Sequence, residues 1–550
     1  MGIRISLWAL YALNLFYISS SATQQPLQTV LDAAPKRVAV IGAGAGGSFA
    51  AHELRKLADA SGIPVNVTVF ERASYVGGRS TTVDAFDDPA YPIELGASIF
   101  VEVNQILMNA SYDLGLFVLG ADHARPKQTA DSIGIWDGSQ FVFTMKDSSG
   151  WWNIAKLLWR YGLAPLRTQN LMKDIVGRFL RLYEEPLFPF RSLSEAAAAV
   201  DLVNVTASPG SNFLDANSIS ELFAREIIQA STRVNYGQNI ALIHGLESMV
   251  CMATDGAVSV HGGNWRIFDG VLKAAKTEVR LNTTVTKIAR SNEGTVRITS
   301  KSTSDLESAQ SDESEFDEVV IAGPLQYSGI SISPPLEHTP DKIPYVQLHV
   351  TLLASPHRIS SQFFGLDDKN FQPPETILTT LPEGLDLGTN PKGVGPSGFW
   401  SVSTLQEVPR IIMKDGQEQL ENHFVYKIFS PERPTADFIA KLFGIEYHRA
   451  FDSDITFLKN STIEDLPKSE VSWFHEKVWH PYPLMYPRVT FEEALLAPSV
   501  WYTSGIESFI STMETSALMG RNVAALMVQS WEREIDERDG QGSSSGRAEL

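Results

Sequence analysis

Three glycines at Gly42, Gly44 and Gly47, followed some two dozen residues later by Glu71, form the constellation with the clearest chemistry in this chain. The spacing is G-x-G-x-x-G. The first glycine permits a tight turn, the second lets backbone approach a diphosphate, and the third lets a helix pack closely on a strand. A helix opening there directs free N–H groups at the phosphates. An acid at Glu71 can accept hydrogen bonds from an adenosine ribose, and repels the extra phosphate of a phosphorylated dinucleotide.

The flanking sequence supplies the elements that must position these groups. Arg37 to Ile41 is β-branched and small-apolar, the pattern of a strand buried on both faces. Ser48 to Leu57 continues as a helix, and Val65 to Phe70 is a second apolar strand ending at Glu71. A glycine-rich turn that binds nothing is the bland alternative, and strand, helix, strand and acid in one register argue against it.

Other candidate chemistry is sparse. Cys251 is the sole cysteine, so the chain has neither an intrachain disulfide nor a dithiol redox couple. Its apolar surroundings suit a buried inert thiol better than a nucleophile. His261, His475 and His480 are candidates for a base, although a structural or surface histidine is the commoner case. Trp479 and Tyr482 suit either an apolar channel or ordinary aromatic core. No Cys/His ligand cluster suggests a metal.

At 550 residues with 43% hydrophobic content, the chain is long enough for two interleaved lobes. Lys plus Arg number 45 against 64 Asp plus Glu, a net charge of −19, which argues against nucleic-acid binding. Arg4 precedes the apolar run Leu7 to Ile18, and Ser20-Ser21-Ala22 supplies small residues. That is the layout of a secretory signal over residues 1–22, and an uncleaved anchor is the alternative. The destination would be vacuole, lysosome or the outside. Five N-x-S/T sequons occur, at Asn66, Asn109, Asn204, Asn282 and Asn460. Asn204 and Asn460, in polar loop-like sequence, are the expected glycan sites, whereas Asn66 falls in an expected core strand.

Taken in order, residues 23–34 read as a polar lead-in and Val101 to about Gly120 as a helix. The stretch 150–184 carries apolar residues at helical spacing: Ile154, Leu157, Leu158 and Tyr161, then Leu171, Ile175, Phe179 and Leu182. These helices read as a core-packed cap, or as the wall of a greasy tunnel or a membrane-surface face aided by Lys156, Arg160 and Arg167. Ser218 to Ala230 reads as a further helix, 257–275 as a Gly-Gly turn into a helix, and Val279 to Ile288 as one strand. Ser300 to Ser314 suits a solvated hairpin loop. Residues 340–470 alternate strand-like runs with Pro/Gly loops. Trp501 to Glu507 reads as strand and turn, then comes a helix from about Thr512 to Val528. The tail beyond Trp531 is charged and Gly/Ser-rich, as in disordered segments.

Several stretches carry a resemblance. VGGRS at 76–80 and IELGAS at 93–98 resemble the segments of amine-oxidase-type flavoproteins that lie against the diphosphate and pass under the flavin. KLLWRYGLAPLR at 156–167, VNYGQ at 234–238, VHGGN at 260–264, VYKIFS at 425–430, WHPYP at 479–483 and GIES at 505–508 narrow it further. Together with the glycine turn, they make the chain similar to the prenylcysteine oxidase (prenylcysteine lyase) family of secretory-pathway flavoproteins, over nearly the whole mature length.

The resemblance implies an α/β fold, α+β overall, with a Rossmann-like FAD-binding domain interleaved with a mixed-sheet and helical substrate lobe. FAD-binding segments would span 36–100, 257–330 and 491–531. The substrate lobe would span 101–256 and 331–490, leaving 532–550 as a disordered tail. Implied cofactor contacts are Gly42, Gly44, Gly47, Glu71, Arg72, Gly78, Arg79, Gly96, Ala97, Val285, Glu507 and Met513, with Arg79 neutralising phosphate charge. The helix near Thr512 would direct its positive end at the reduced flavin.

The implied reaction is hydride transfer from the allylic carbon beside the sulfur of S-farnesyl- or S-geranylgeranyl-cysteine to the flavin. Water then adds, and collapse yields cysteine and the isoprenoid aldehyde; dioxygen reoxidises the flavin to give hydrogen peroxide. The acidic loop at 302–314 and the long tail depart from the pattern and leave open another thioether, amine or isoprenoid. A non-catalytic lipid-binding glycoprotein is the reading from a different class.

Overall fold

The computed structural model describes residues 34–545 apart from 121–131, 147–149, 292–293, 308–309, 367–371, 389, 391, 415 and 447–460. The signal-like segment, the lead-in and the sequon at Asn460 therefore lie outside the described residues.

A six-stranded sheet forms one lobe. Lys36–Ile41 runs parallel to Val65–Phe70 on one side and to Glu318–Ile321 on the other. Glu278–Arg280 flanks Val65–Phe70, and Val500–Tyr502 and Leu495–Ala497 complete the far edge. Val38, Ala39, Val40, Val69 and Val319 are fully buried, as expected where helices or sheet cover both faces. Helix Ala45–Ala60 packs on this sheet, and the long helix Met513–Ser545 crosses that helix. At the crossing, a Cβ on Gly520 would lie 2.2 Å from the Gly46 carbonyl oxygen. Only glycine allows that approach.

The second lobe has a seven-stranded sheet and a cluster of helices. Its strands, in order, are Trp473–Trp479, Leu348–Ser355, Gln417–Ser430, Ser401–Lys414, Thr376–Thr379, Ser132–Trp136 and Phe141–Lys146. The last two come from between the segments read as helices at 101–120 and 150–184. Alternation along the central strands buries Ile377, Val402, Tyr426 and Ile428 in one core cluster and turns the intervening residues the other way.

Several sequence expectations are corrected. The helix after Val101 is confined to Gln105–Asp113, because Gly115 turns left-handed (φ 64°) and Val118–Gly120 becomes a strand beside Ala257–Val260. The supposed strand Val279–Ile288 is two strands, broken at Asn282 (φ 53°), a residue type that tolerates that conformation. Glu278–Arg280 joins the nucleotide sheet, while Thr283–Arg290 joins a separate four-stranded sheet. The helix expected from Ser218 starts at Glu221, under a Ser220 side-chain cap, and passes through a π-helical segment at Ala224–Ile228. It ends at Tyr236 against left-handed Gly237. The last helix does not stop near Trp531 but continues to Ser545. Asn66, expected to be inaccessible, is exposed on its strand.

Candidate functional site

The glycine turn is shaped by contacts that leave no room for side chains. Gly42 has φ 112°, and a Cβ there would stand 2.7 Å from the Ala322 carbonyl oxygen. A Cβ on Gly47 would stand 1.9 Å from the Gly42 oxygen, which is the close helix–strand packing read for the third glycine. Gly44 differs: its nearest neighbour would be the Gly78 Cα at 3.8 Å, and the residue borders a cavity. Helix Ala45–Ala60 begins there with no side-chain cap and no acid in its first turn, so its opening N–H groups are available to an anion. Glu71 is buried and holds the turn from behind, accepting from Ala43 N at 2.8 Å and Ala73 N at 2.7 Å. Each of its oxygens keeps a further lone pair. Gly77 N donates to Ala43 O at 2.9 Å and laces the 76–80 segment to the turn.

The start of the last helix faces the same cavity. Thr512 caps it, its Oγ1 accepting from Thr515 N at 3.1 Å. Glu514 lies in that first turn, yet its carboxylate oxygens accept from Ile106 N at 2.9 Å and Leu107 N at 3.0 Å. Burial pushes its carboxyl up to about 7. Behind the turn, fully buried Glu247 accepts from Ser511 N at 3.4 Å, and burial pushes it up to about 8.

One cavity of about 1220 Å³ connects these parts. It runs from the Gly42–Gly46 turn past Gly96–Ala97 to a wall that includes Val103, Leu107, Val176, Phe179, Leu180 and Tyr183. Arg79 and Glu507 meet on its border through two 2.8 Å hydrogen bonds. Arg79 also donates to the Pro481 carbonyl, and Tyr345 Oη donates to Glu507 at 3.2 Å. Three cavity-lining polar atoms, Ser80 Oγ, Thr376 Oγ1 and Trp479 Nε1, are buried without a protein partner. Such atoms are ordinarily satisfied, so a polar occupant fits. The bare Gly44 edge and the two helix starts suit the diphosphate-bearing part of a dinucleotide.

Of the residues singled out from sequence, Gly42, Gly44, Glu71, Arg72, Gly78, Arg79, Gly96, Ala97, Val285, Glu507 and Met513 all border this cavity. Gly47 sits behind it. Arg72 donates to the Tyr327 carbonyl at 3.2 Å, and Arg79 engages Glu507. Trp479, Tyr482 and His480 line the cavity, His480 stacked on Tyr327 at 5.4 Å. His261 is exposed, and neither it nor His475 is among the lining residues. Cys251 is buried, with its thiol pushed well up by burial.

Sequence reading missed Thr376, Ser401, Ser403 and Lys427, which line the cavity from the second sheet. Their period-two alternation with Ile377, Val402, Tyr426 and Ile428 was a usable signal.

Fold and cavity together define a two-lobed dinucleotide-binding protein with the architecture of the flavin amine oxidases. Cyclohexylamine oxidase from Brevibacterium oxydans aligns at TM-score 0.51 over 91% of this chain and 100% of its own, with 17% identity. Wild-type putrescine oxidase bound to putrescine aligns at TM-score 0.51 with 13% identity, covering 90% and 99%. The family model for a NAD(P)-binding Rossmann-like domain matches residues 40–112, and that for prenylcysteine lyase matches residues 144–540. The chain belongs to the prenylcysteine lyase family. It is 29% identical to prenylcysteine oxidase 1 of Pongo abelii, over 93% of this chain and 92% of the relative. Farnesylcysteine lyase of Arabidopsis thaliana is 26% identical over 94% and 93%.

Proposed function

We propose that this protein is an FAD-dependent oxidase that cleaves the thioether of prenylcysteines, releasing cysteine, an isoprenoid aldehyde and hydrogen peroxide. The observation that carries the reading is the single cavity joining an uncapped glycine turn, a second helix start and an apolar wall. FAD, when bound, supplies the hydride acceptor and the route for electrons to dioxygen.

The chain's own residues bind and orient. Gly42, Gly44 and the start of helix Ala45–Ala60 hold the diphosphate, and Glu71 offers its remaining lone pairs to the ribose. Gly78, Gly96, Ala97, Val285 and the Thr512–Met513 helix start complete the cofactor's bed, the last favouring negative charge by its dipole. Arg79 and Glu507 act here as one neutral, preorganised pair, and Arg72 contributes positive charge at the ribose end. Val176, Phe179 and Leu180 hold the isoprenoid chain and exclude water, which strengthens every polar interaction inside. No side chain is assigned as catalytic base.

The N-terminal segment supports a secretory route to vacuole, lysosome or the exterior, with glycans at Asn204 and Asn460; Asn204 is exposed on the short helix Val203–Thr206. A membrane-surface contact is supported by Leu158, Trp159, Leu163 and Leu166 around the turn between helices Gly150–Tyr161 and Ala164–Leu180, at 38%, 88%, 59% and 49% exposure. Between 156 and 181 the chain has six basic residues and one acid, against its overall charge of −19.

The test is an absorbance spectrum of the purified protein, followed by peroxide release on adding farnesylcysteine. A flavin-loaded preparation with no turnover of farnesylcysteine, but active on an amine, refutes the substrate class. A colourless protein refutes the cofactor.

A further inference from the structure

The cluster of helices in the second lobe holds another cavity, of about 380 Å³, which shares no lining residue with the larger one. It lies where the turn between helices Gly150–Tyr161 and Ala164–Leu180 meets the loop between helices Gly210–Ala216 and Glu221–Phe223. Its floor is apolar and fixed. Tyr161, Ala164 and Ile219 line it at 5%, 4% and 2% exposure. Buried Glu226 holds the turn from behind, accepting from Arg160 Nε, Arg160 Nη2 and Tyr161 Oη, each at 2.8 Å.

The rim is charged. Arg167, Asp215 and Glu221 are exposed and line the same cavity, one positive charge facing two negative ones. Arg167 gives an N–H to the Ser218 carbonyl at 2.9 Å, and no ion pair joins it to either acid among the described residues. Most of its fork therefore faces a ligand. Leu163 belongs both to this lining and to the exposed apolar group with Trp159 and Leu166. A quaternary ammonium suits two carboxylates over a floor that includes a tyrosine ring, and a guanidinium suits a phosphate beside it. The apolar neighbours suit the acyl chains attached to such a head group.

We propose that this cavity is a phosphocholine head-group site, with Arg167 taking the phosphate and Asp215 and Glu221 the quaternary ammonium. The protein thereby docks on choline phospholipid surfaces while Trp159, Leu163 and Leu166 enter the leaflet. This rests on the membrane contact proposed above and is independent of FAD and of thioether chemistry. One helix links the two cavities: Arg167 lies near its start, and Leu180, about 20 Å along its axis at 1.5 Å per residue, lines the larger cavity. Docking thus sets the apolar wall at a fixed height above the lipid.

The test sediments full-length protein with vesicles of phosphatidylcholine and, separately, of digalactosyldiacylglycerol, which is uncharged and lacks phosphate and choline. Wild type should bind the choline lipid about fivefold more tightly, and excess soluble phosphocholine should abolish the difference. Arg167→Gln should bring the ratio to about one. Because Arg167 also ties down the Ser218 carbonyl, Asp215→Asn/Glu221→Gln provides a second arm, as neither carboxylate makes a hydrogen bond among the described residues. It should lower binding to the choline lipid alone and leave binding to the galactolipid unchanged. Equal wild-type binding to the two lipids overturns the site and leaves the membrane contact standing. A preference that survives phosphocholine, or that either variant keeps, also overturns the site. Wild type that sediments with neither lipid refutes the membrane contact and the docking site together.

Discussion

Arg79 and Glu507, 428 residues apart, meet fork to fork at 2.8 Å, with Glu507 4% exposed and Arg79 37% exposed in their side chains. The pair ties the segment after the second strand to the turn before the last helix. Removing one partner of a wholly buried pair costs about 3–5 kcal/mol, and Arg79's partial exposure lowers that to roughly 2 kcal/mol. Glu507→Gln should therefore destabilise by roughly that much in urea unfolding, and Arg79→Met/Glu507→Gln should recover part of the loss. Additive single effects, with coupling below about 0.5 kcal/mol, would show that the pair does not act as a unit.

Two glycines of one turn should respond in opposite ways. Gly47→Ala drives a fixed Cβ to within 1.9 Å of a carbonyl oxygen and should cost about 3 kcal/mol or more, because no rotamer relieves it. Gly44 has extended backbone (φ −83°) and no neighbour within 3.8 Å, so Gly44→Ala should leave the melting temperature unchanged or slightly higher. It should nevertheless lose bound flavin, since the methyl group occupies the diphosphate's approach. Equal flavin content in Gly44→Ala and wild type would remove the cradle from that edge.

Stability should fall as pH rises from 5 to 8. Burial holds Glu94 at about 7, Glu247 at about 8 and Glu514 at about 7, against 4.5 when unfolded. The folded chain thus retains protons that the unfolded chain has released. The stabilisation is complete below the unfolded value and is lost as pH passes through the folded values. Thermal melts across this range check it, and Glu247→Gln should flatten the profile. A melting temperature that climbs over the same interval contradicts neutral buried acids.

Exposed Trp159 and Leu163 carry the proposed membrane contact. Trp159→Asp/Leu163→Asp should reduce binding to vesicles containing anionic lipid at least tenfold, with stability changed by less than about 0.5 kcal/mol. Sedimentation with vesicles measures it; undiminished binding would move the contact elsewhere.

Sequence showed most clearly what is local. Strand Lys36–Ile41, the glycine turn, strand Val65–Phe70 and Glu71 are contiguous, and each glycine's role follows from one turn's geometry. The Gly262–Gly263 turn into helix Trp265–Ala274 was legible for the same reason. Partnerships across distance were not. The ion pair of Arg79 was not visible, because Glu507, which engages it, lies 428 residues on. The cavity lining at Ser403 and Lys427 exists only once their strands pair. The helix beyond Trp531 was obscured by its polar composition, although Glu534 pairs with Lys36 at 3.2 Å and with Arg538 one turn on. Such pairs support a helix that buries little.

The sheet order has a consequence for biosynthesis. The strand at 36–41 finds its neighbours at 65–70 and 318–321, and the far edge waits for 500–502. Gly46 meets its crossing partner only at Gly520. A ribosome must finish nearly the entire message before this cavity can close, so frameshifts ahead of codon 512 should yield chains for degradation rather than a weakened protein.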